Sequence, residues 1–225
     1  MAVSLSVEWL GSVPYADGLS LQREAVAARR AGETGDRLLL LEHPAVVTLG
    51  RSGKRENLLL SVEQLAARGV ELHEASRGGD VTWHGPGQLV GYAVLDLAAR
   101  GQADVGAYLR RLEVGLIDAL SGLGVAGRRI EGWTGVFAAP RPGEAAGALP
   151  RKIASIGVGL HSWVSDHGFA LNVAPDLAGF EAIIPCGLHG VEMTSVAREL
   201  GDSAPRDLAP RAREAVTAAF LGIWG

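Results

Sequence analysis

One cysteine, Cys186, stands in a chain of 225 residues. That scarcity excludes an internal disulfide framework and suits a reducing compartment such as the cytoplasm. An excess of one charge is also missing. The 21 Lys and Arg against 25 Asp and Glu leave a net charge of −4, so no basic field speaks for nucleic acid or a membrane surface. No apolar run approaches the roughly 20 residues of a membrane-spanning helix. Neither Gly-Lys-Ser/Thr nor Gly-x-Gly-x-x-Gly after a strand occurs, which leaves ATP chemistry without a motif. His161, His167 and His189 lie in different turns, with no His-x-His or His-x-x-x-His spacing, so neither a metal nor a cofactor is expected.

What the chain does have is a large apolar share, 48%, enough for one domain over residues 1–225. The first ten residues alternate Val3, Leu5, Val7 and Trp9 as a strand and lack the basic flank of a signal peptide. A helix is predicted over 15–31, with Leu19, Ala25 and Ala28 toward the core and Gly32 and Gly35 beyond its end. Short strands over 37–42 and 45–49 flank His43-Pro44. Ser61 and Gln64 form a capping-box pattern opening a short helix that Gly69 ends. A strand over 70–74, the loop 77–80 and a strand over 89–95 follow. Asp104 caps a helix carrying Val105, Leu109, Leu112, Leu116 and Leu120 at helical spacing. Residues 140–150, rich in Pro, Gly and Ala, read as a mobile surface loop. The alternating stretch 152–163 and the strand 168–173 form a hairpin pair, and a last helix covers 206–221. Strands and helices mix without a βαβ repeat, which predicts an α+β fold, a mixed β-sheet flanked by helices on one face.

Three features could carry chemistry. Residues 77–88 read Arg77-Gly78-Gly79-Asp80-Val81-Thr82-Trp83-His84-Gly85-Pro86-Gly87-Gln88. Glycines let backbone approach a ligand closely and offer unshielded N–H groups, although an ordinary hairpin turn fits the same residues. Lys152 opens an otherwise apolar strand. Such a lysine is either a solvated cap or, if desolvated, a base and charge partner for a thiol. Cys186 sits between Pro185 and Gly187, a turn that can present a thiol at a sheet edge, but a lone cysteine also serves as a small buried hydrophobe. His84 and His167, each before a glycine, suit pocket loops, whereas His161 and His189 read as ordinary core or surface residues.

Taken together these stretches resemble the lipoyl(octanoyl) transferases, relatives of the biotin and lipoate ligases. The resemblance rests on Thr48-Leu49-Gly50-Arg51, on Arg77-Gly78-Gly79 through Leu89, on Lys152-Ile153-Ala154-Ser155-Ile156-Gly157, on 167–173, on Pro185-Cys186-Gly187, and on Gly190 with Thr194-Ser195. It implies the biotin/lipoate ligase catalytic-domain fold. It also implies transfer of an octanoyl group from octanoyl-acyl carrier protein to a lysine of lipoyl domains, those of 2-oxoacid dehydrogenase complexes and the glycine cleavage H protein. By the same resemblance Cys186 carries an acyl-thioester and Lys152 tunes and deprotonates it. Arg77, Gly78, Gly79, Asp80, Val81, Thr82, Trp83 and His84, with Ser155, Ile156, Gly157, Gly168, Phe169 and Ala170, then bind the acyl substrate. Trp83 stands where tyrosine is commoner in the family, and the 140–150 loop looks long.

On chemistry alone, Ala154, Ile156, Gly157, Phe169 and Ala170 suit the wall of a medium-length acyl pocket. Backbone near Gly78-Gly79 or around Cys186 is the expected oxyanion donor. Asp80 reads as solvated. The competing readings are an ATP-dependent lipoate or biotin ligase and a non-catalytic module that holds lipoyl domains.

Overall fold

Leu38, Leu39, Leu40 and Leu41 are all buried. Because successive side chains on a strand point to opposite faces, their sheet is covered on both sides. Leu38 and Leu40 join a cluster with Leu112, Leu116, Val216 and Phe220 of two later helices. Leu39 and Leu41 join a second cluster with Ala25 and Val26 of the first helix. The expectation of helices on one face is therefore corrected: the apolar run in the strand demands cover on each.

The computed structural model describes residues 4–141, 143–145, 147–185 and 190–225. Cys186, Gly187 and His189, all singled out above, lie outside the described residues, as does Val3.

In chain order the elements are β1 (Leu5–Ser12), α1 (Tyr15–Arg30), β2 (Asp36–Glu42), β3 (Val46–Leu49), α2 (Val62–Ala67), β4 (Glu71–Glu74), β5 (Val81–His84) and β6 (Gln88–Val94). Then come α3 (Val105–Gly122), β7 (Gly127–Ile130), β8 (Trp133–Ala138), β9 (Arg151–His161), β10 (Val164–Asn172), β11 (Glu192–Met193), α4 (Val196–Leu200) and α5 (Leu208–Trp224). The main sheet runs β1-β2-β6-β10-β9-β8-β7, and β11 adds to β9. A small sheet runs β4-β3-β5. Parallel pairs (β1 with β2, β11 with β9, β3 with β4) sit among antiparallel ones.

Local signals act as the sequence reads. Ser61 and Gln64 close a full capping box at α2, and the Asp104 side chain accepts the Ala107 N–H at the start of α3. Ala25 is buried, while Leu19 and Ala28 are only half-buried. The described part of 140–150 forms no helix or strand. Five elements differ from expectation. Residues 81–84, expected within a loop, form β5, every residue of it buried, and β7, β8, β11 and α4 were not anticipated.

β10 pairs with β9 from Val164↔His161 to Leu171↔Ala154. Beyond that point β11 continues along β9, with Glu192↔Arg151 and Met193↔Lys152. The Thr194 N–H also donates to the Lys152 carbonyl at 2.9 Å. Lys152 is thus flanked by strand on both edges, since Phe137 of β8 pairs with it from the other side.

Candidate active site

A cavity of about 210 Å³ opens between the main sheet and the small sheet. That is below the roughly 300–1,000 Å³ of sites for drug-sized ligands, so its occupant is small or slender. From β9 it takes Lys152, Ser155, Ile156 and Gly157, and from β10 His167, Gly168, Phe169 and Ala170. The small-sheet side supplies Arg77, Gly79, Asp80, Val81, Thr82 and His84. Val90 and Tyr92 of β6, Tyr15 of α1, Gly132 and, at the start of β8, Trp133 and Thr134 complete the lining.

Most of the predicted lining residues therefore meet in one place. Gly78 and Trp83 do not. The Gly78 N–H donates to the Val158 carbonyl at 2.8 Å, so it is spent on holding the loop to β9. Trp83 turns into a core cluster and meets Phe180 edge-on at 5.2 Å. Ala154, expected as a wall, is buried in the main core. Tyr15, Val90, Tyr92 and residues 132–134 were not expected in the lining, because they sit in segments without a motif.

Lys152 is 2% exposed, which overturns the solvated-cap alternative. Its Nζ donates to the Thr134 carbonyl at 3.1 Å and lies 5.7 Å from the centre of the Phe137 ring. Gly135 makes this packing possible. It holds φ +118, and a Cβ there would stand 2.8 Å from Lys152 Cε and 2.6 Å from the Ala154 carbonyl oxygen. No side chain fits between β8 and the lysine stem. The Gly135 N–H donates instead to Oε1 of Glu113, a fully buried carboxylate on α3, at 3.0 Å.

Arg77 is buried and bonded to the frame. Nη2 donates to the Thr48 carbonyl at 2.8 Å and to Thr48 Oγ1 at 2.7 Å, and Nη1 donates to the Asp80 carbonyl at 2.9 Å. Asp80, expected as solvated, accepts from the Lys54 and Val81 N–H groups and from Asn57 Nδ2. Its carboxylate therefore ties the 50–57 segment to the loop. At Gly157 a Cβ would stand 2.8 Å from the Gly78 carbonyl oxygen, so glycine there lets the loop close onto β9.

The imidazoles facing the cavity are neutral. Burial, then the nearby His43 and Arg77, pushes His84 down from 6.5 to about 3, against a raising contribution from Gln88. Burial also lowers His167 to about 4, with Asp166 opposing and Arg77 assisting. Burial raises the Tyr15 phenol to about 12. His84 Nδ1 meets Gln88 Oε1 at 2.6 Å, Gln88 Nε2 donates to Asn172 Oδ1 at 2.8 Å, and Asn172 Nδ2 donates to the Thr194 carbonyl at 2.9 Å. The Thr194 hydroxyl then donates to Glu199 Oε1 at 2.6 Å, which also accepts from Arg151 Nε at 3.0 Å. His161 pairs with Asp166 at 3.0 Å, away from this string. Among the described residues no group of three His, Cys, Asp or Glu is disposed to hold a metal ion. No helix of the described residues is long and apolar enough to cross a membrane.

Residues 14–220 match the family described as the lipoyl protein ligase A/B catalytic domain. An octanoyltransferase of Acidobacterium capsulatum is 48% identical over 204 residues, covering 88% of this chain and 81% of that protein. One of Solibacter usitatus is 51% identical over 179 residues, 80% of this chain and 76% of that protein. Among solved structures, a bi-partite lipoate protein ligase from Thermoplasma acidophilum, studied with its E2 lipoyl domain, aligns with a TM-score of 0.71. The identity there is 18%, over 98% of this chain and 82% of that one, and what it shows is the shared fold.

Proposed function

The chain belongs to the octanoyltransferases of the lipoyl protein ligase A/B catalytic-domain family, and it is an acyltransferase. From that premise we propose that it moves an octanoyl group from octanoyl-acyl carrier protein to a lysine of a lipoyl domain. The group is carried as a thioester on Cys186, and Lys152 is its proton partner. Lipoyl domains of 2-oxoacid dehydrogenase complexes and the glycine cleavage H protein are the acceptors in this reading. A free thiol at the centre of the reaction fits the cytoplasm.

The observation that carries the reading is the buried Lys152 ammonium opening on a narrow cavity walled by Ile156, Val90, Phe169 and Ala170. Such a cavity suits an alkyl chain, and an amine at its wall is a side chain of the type that serves as general acid or base. Support for pairing it with Cys186 comes from topology. The chain beyond the cysteine returns as β11 and pairs Met193 with Lys152.

In the first half-reaction the thiol proton of Cys186 is held on Lys152 as its ammonium, and the Cys186 thiolate attacks the donor's thioester carbonyl. The carbonyl carbon–sulfur bond to the carrier breaks, and the departing thiolate takes the proton back from Lys152. In the second, the acceptor lysine amine attacks the acyl-cysteine. Its excess proton passes to Lys152 and then to the released Cys186 thiolate, leaving an amide and the free enzyme. The donor is already activated, so no ATP is consumed.

Incubation with octanoyl-carrier followed by mass spectrometry tests this reading. The wild type is expected to gain one octanoyl group, and Cys186→Ala to gain none while keeping its melting temperature. Full transfer by Cys186→Ala would overturn the acyl-enzyme and favour a ligase-type route. A wild type that takes no covalent octanoyl group would favour a binding module.

A further inference from the structure

We infer that Glu113 is a positioning residue for the transfer, holding β8 in the bulged shape that lets Thr134 and Gly135 set the Lys152 ammonium. This rests on the reading of Lys152 given above. The sheet is broken where β8 meets the start of β9. Val136 pairs with Ala154 and Phe137 with Lys152, a slip of register within two residues. A bulge of this kind re-aims neighbouring groups and frees backbone donors from the ladder, and it needs something to fix it.

At that place the Gly135 N–H turns away from β9 and onto Glu113 Oε1, at 3.0 Å. Glu113 reaches it from α3, fully buried, while Arg110 Nη1 holds the second carboxylate oxygen at 2.6 Å. On one side of Gly135, Thr134 turns its carbonyl to the Lys152 ammonium. On the other, the bare Cα of Gly135 leaves the space that the lysine stem fills. One carboxylate oxygen thereby fixes the peptide on which the lysine rests. A buried acid among the leucines of an amphipathic helix has no packing reason to be there, and the Gly135 N–H supplies one.

What matters is an acceptor at the reach of the three-carbon glutamate side chain, not its charge. Glu113→Gln keeps an acceptor oxygen at the same reach and loses the charge. Glu113→Asp keeps the charge and withdraws the oxygen by one methylene. Both are measured for kcat, for KM toward octanoyl-carrier and for the pH dependence of Cys186 alkylation, beside Lys152→Met.

Glu113→Gln is expected within about 3-fold of wild-type kcat. Glu113→Asp is expected to lose about 10- to 10²-fold, the cost of a displaced reacting group. KM should hardly change, and the alkylation profile should move in the direction that Lys152→Met moves it. Equal activity in both variants overturns the inference, as does a larger loss in Glu113→Gln, because charge and not position is then what counts. If Lys152→Met itself leaves the alkylation profile unchanged, the reading of Lys152 fails, and the role of Glu113 fails with it. If Lys152→Met moves the profile and Glu113→Asp does not, only the role of Glu113 is lost.

Discussion

Two buried cations face one cavity and are held in different ways. At the Arg77 corner the guanidinium fork spreads over the Thr48 hydroxyl and the Thr48 and Asp80 carbonyls. At the Lys152 corner the ammonium meets the Thr134 carbonyl and the face of Phe137. A guanidinium stays charged and suits fixed, planar, multiple bonding, whereas an ammonium on a flexible stem can give up its proton when desolvated. The difference teaches that burial of a positive charge is no mark of chemistry in itself. What the charge is bonded to decides whether it builds the frame or serves the reaction.

The largest expected effect tests that division directly. Lys152→Met should cut transfer by at least about 10²-fold, the lower range for loss of a general acid–base. Its stability should stay level or rise, because replacing a buried charge by an apolar chain of similar volume is often neutral or stabilising. Arg77→Met should show the reverse emphasis. Stripped of their donor, the buried Thr48 acceptors and the half-buried Asp80 carbonyl should cost about 3–5 kcal/mol of unfolding free energy, measured by urea denaturation. An Arg77→Met protein of wild-type stability that has lost only turnover would break the comparison.

The pH dependence of stability sharpens it. His84 and His167 titrate in the folded protein at about 3 and about 4, below the ordinary 6.5. The unfolded chain therefore binds protons first as pH falls. The histidines' contribution is complete above about pH 6.5 and is lost on acidification, by about 1.4 kcal/mol per pH unit for each histidine down to about pH 4. Arg77 adds to the lowering of both histidines after burial, so Arg77→Met should flatten this loss, whereas Lys152→Met should leave it alone. Urea unfolding from neutral pH down to about 4 reads both slopes.

The smallest effect lies in the glycine pair beside Arg77. Gly79 holds φ +84, so Gly79→Ala should cost about 1–2 kcal/mol of backbone strain. At Gly78 the nearest atom to an added Cβ is the Val158 carbonyl oxygen at 3.4 Å, an ordinary contact. Gly78→Ala should therefore be close to neutral. Equal melting temperatures for the two variants would mean that the loop relaxes around Gly79.

Local rules carried far in this sequence, and long-range ones did not. The α2 capping box and the Asp104 cap follow from neighbouring residues and are present where they were expected, and β9 and β10 pair as a hairpin as expected, although β10 begins four residues early, at Val164. β5 escaped notice because its four residues sit between glycine-rich segments that punctuate a chain like a loop. The burial of Lys152 was illegible for another reason. It depends on β11, some forty residues later, closing over the end of β9, and no local pattern announces that. Glu113 was hidden more thoroughly still. In an amphipathic helix a glutamate reads as part of the wet face, and only the orientation of a peptide on a neighbouring strand shows why it is dry.

The string of side chains from Thr194 to His84 has a sense of direction. A backbone carbonyl can only accept, so Asn172 must present its Nδ2 to Thr194 and its Oδ1 to Gln88. Gln88 must then donate through Nε2, which turns its Oε1 toward His84 and requires Nδ1 of that ring to bear the hydrogen. One main-chain oxygen beside the start of α4 thus dictates the tautomer of an imidazole on a different sheet. With its proton fixed on Nδ1 and its basicity suppressed by burial, His84 keeps Nε2 as a bare lone pair throughout the neutral range.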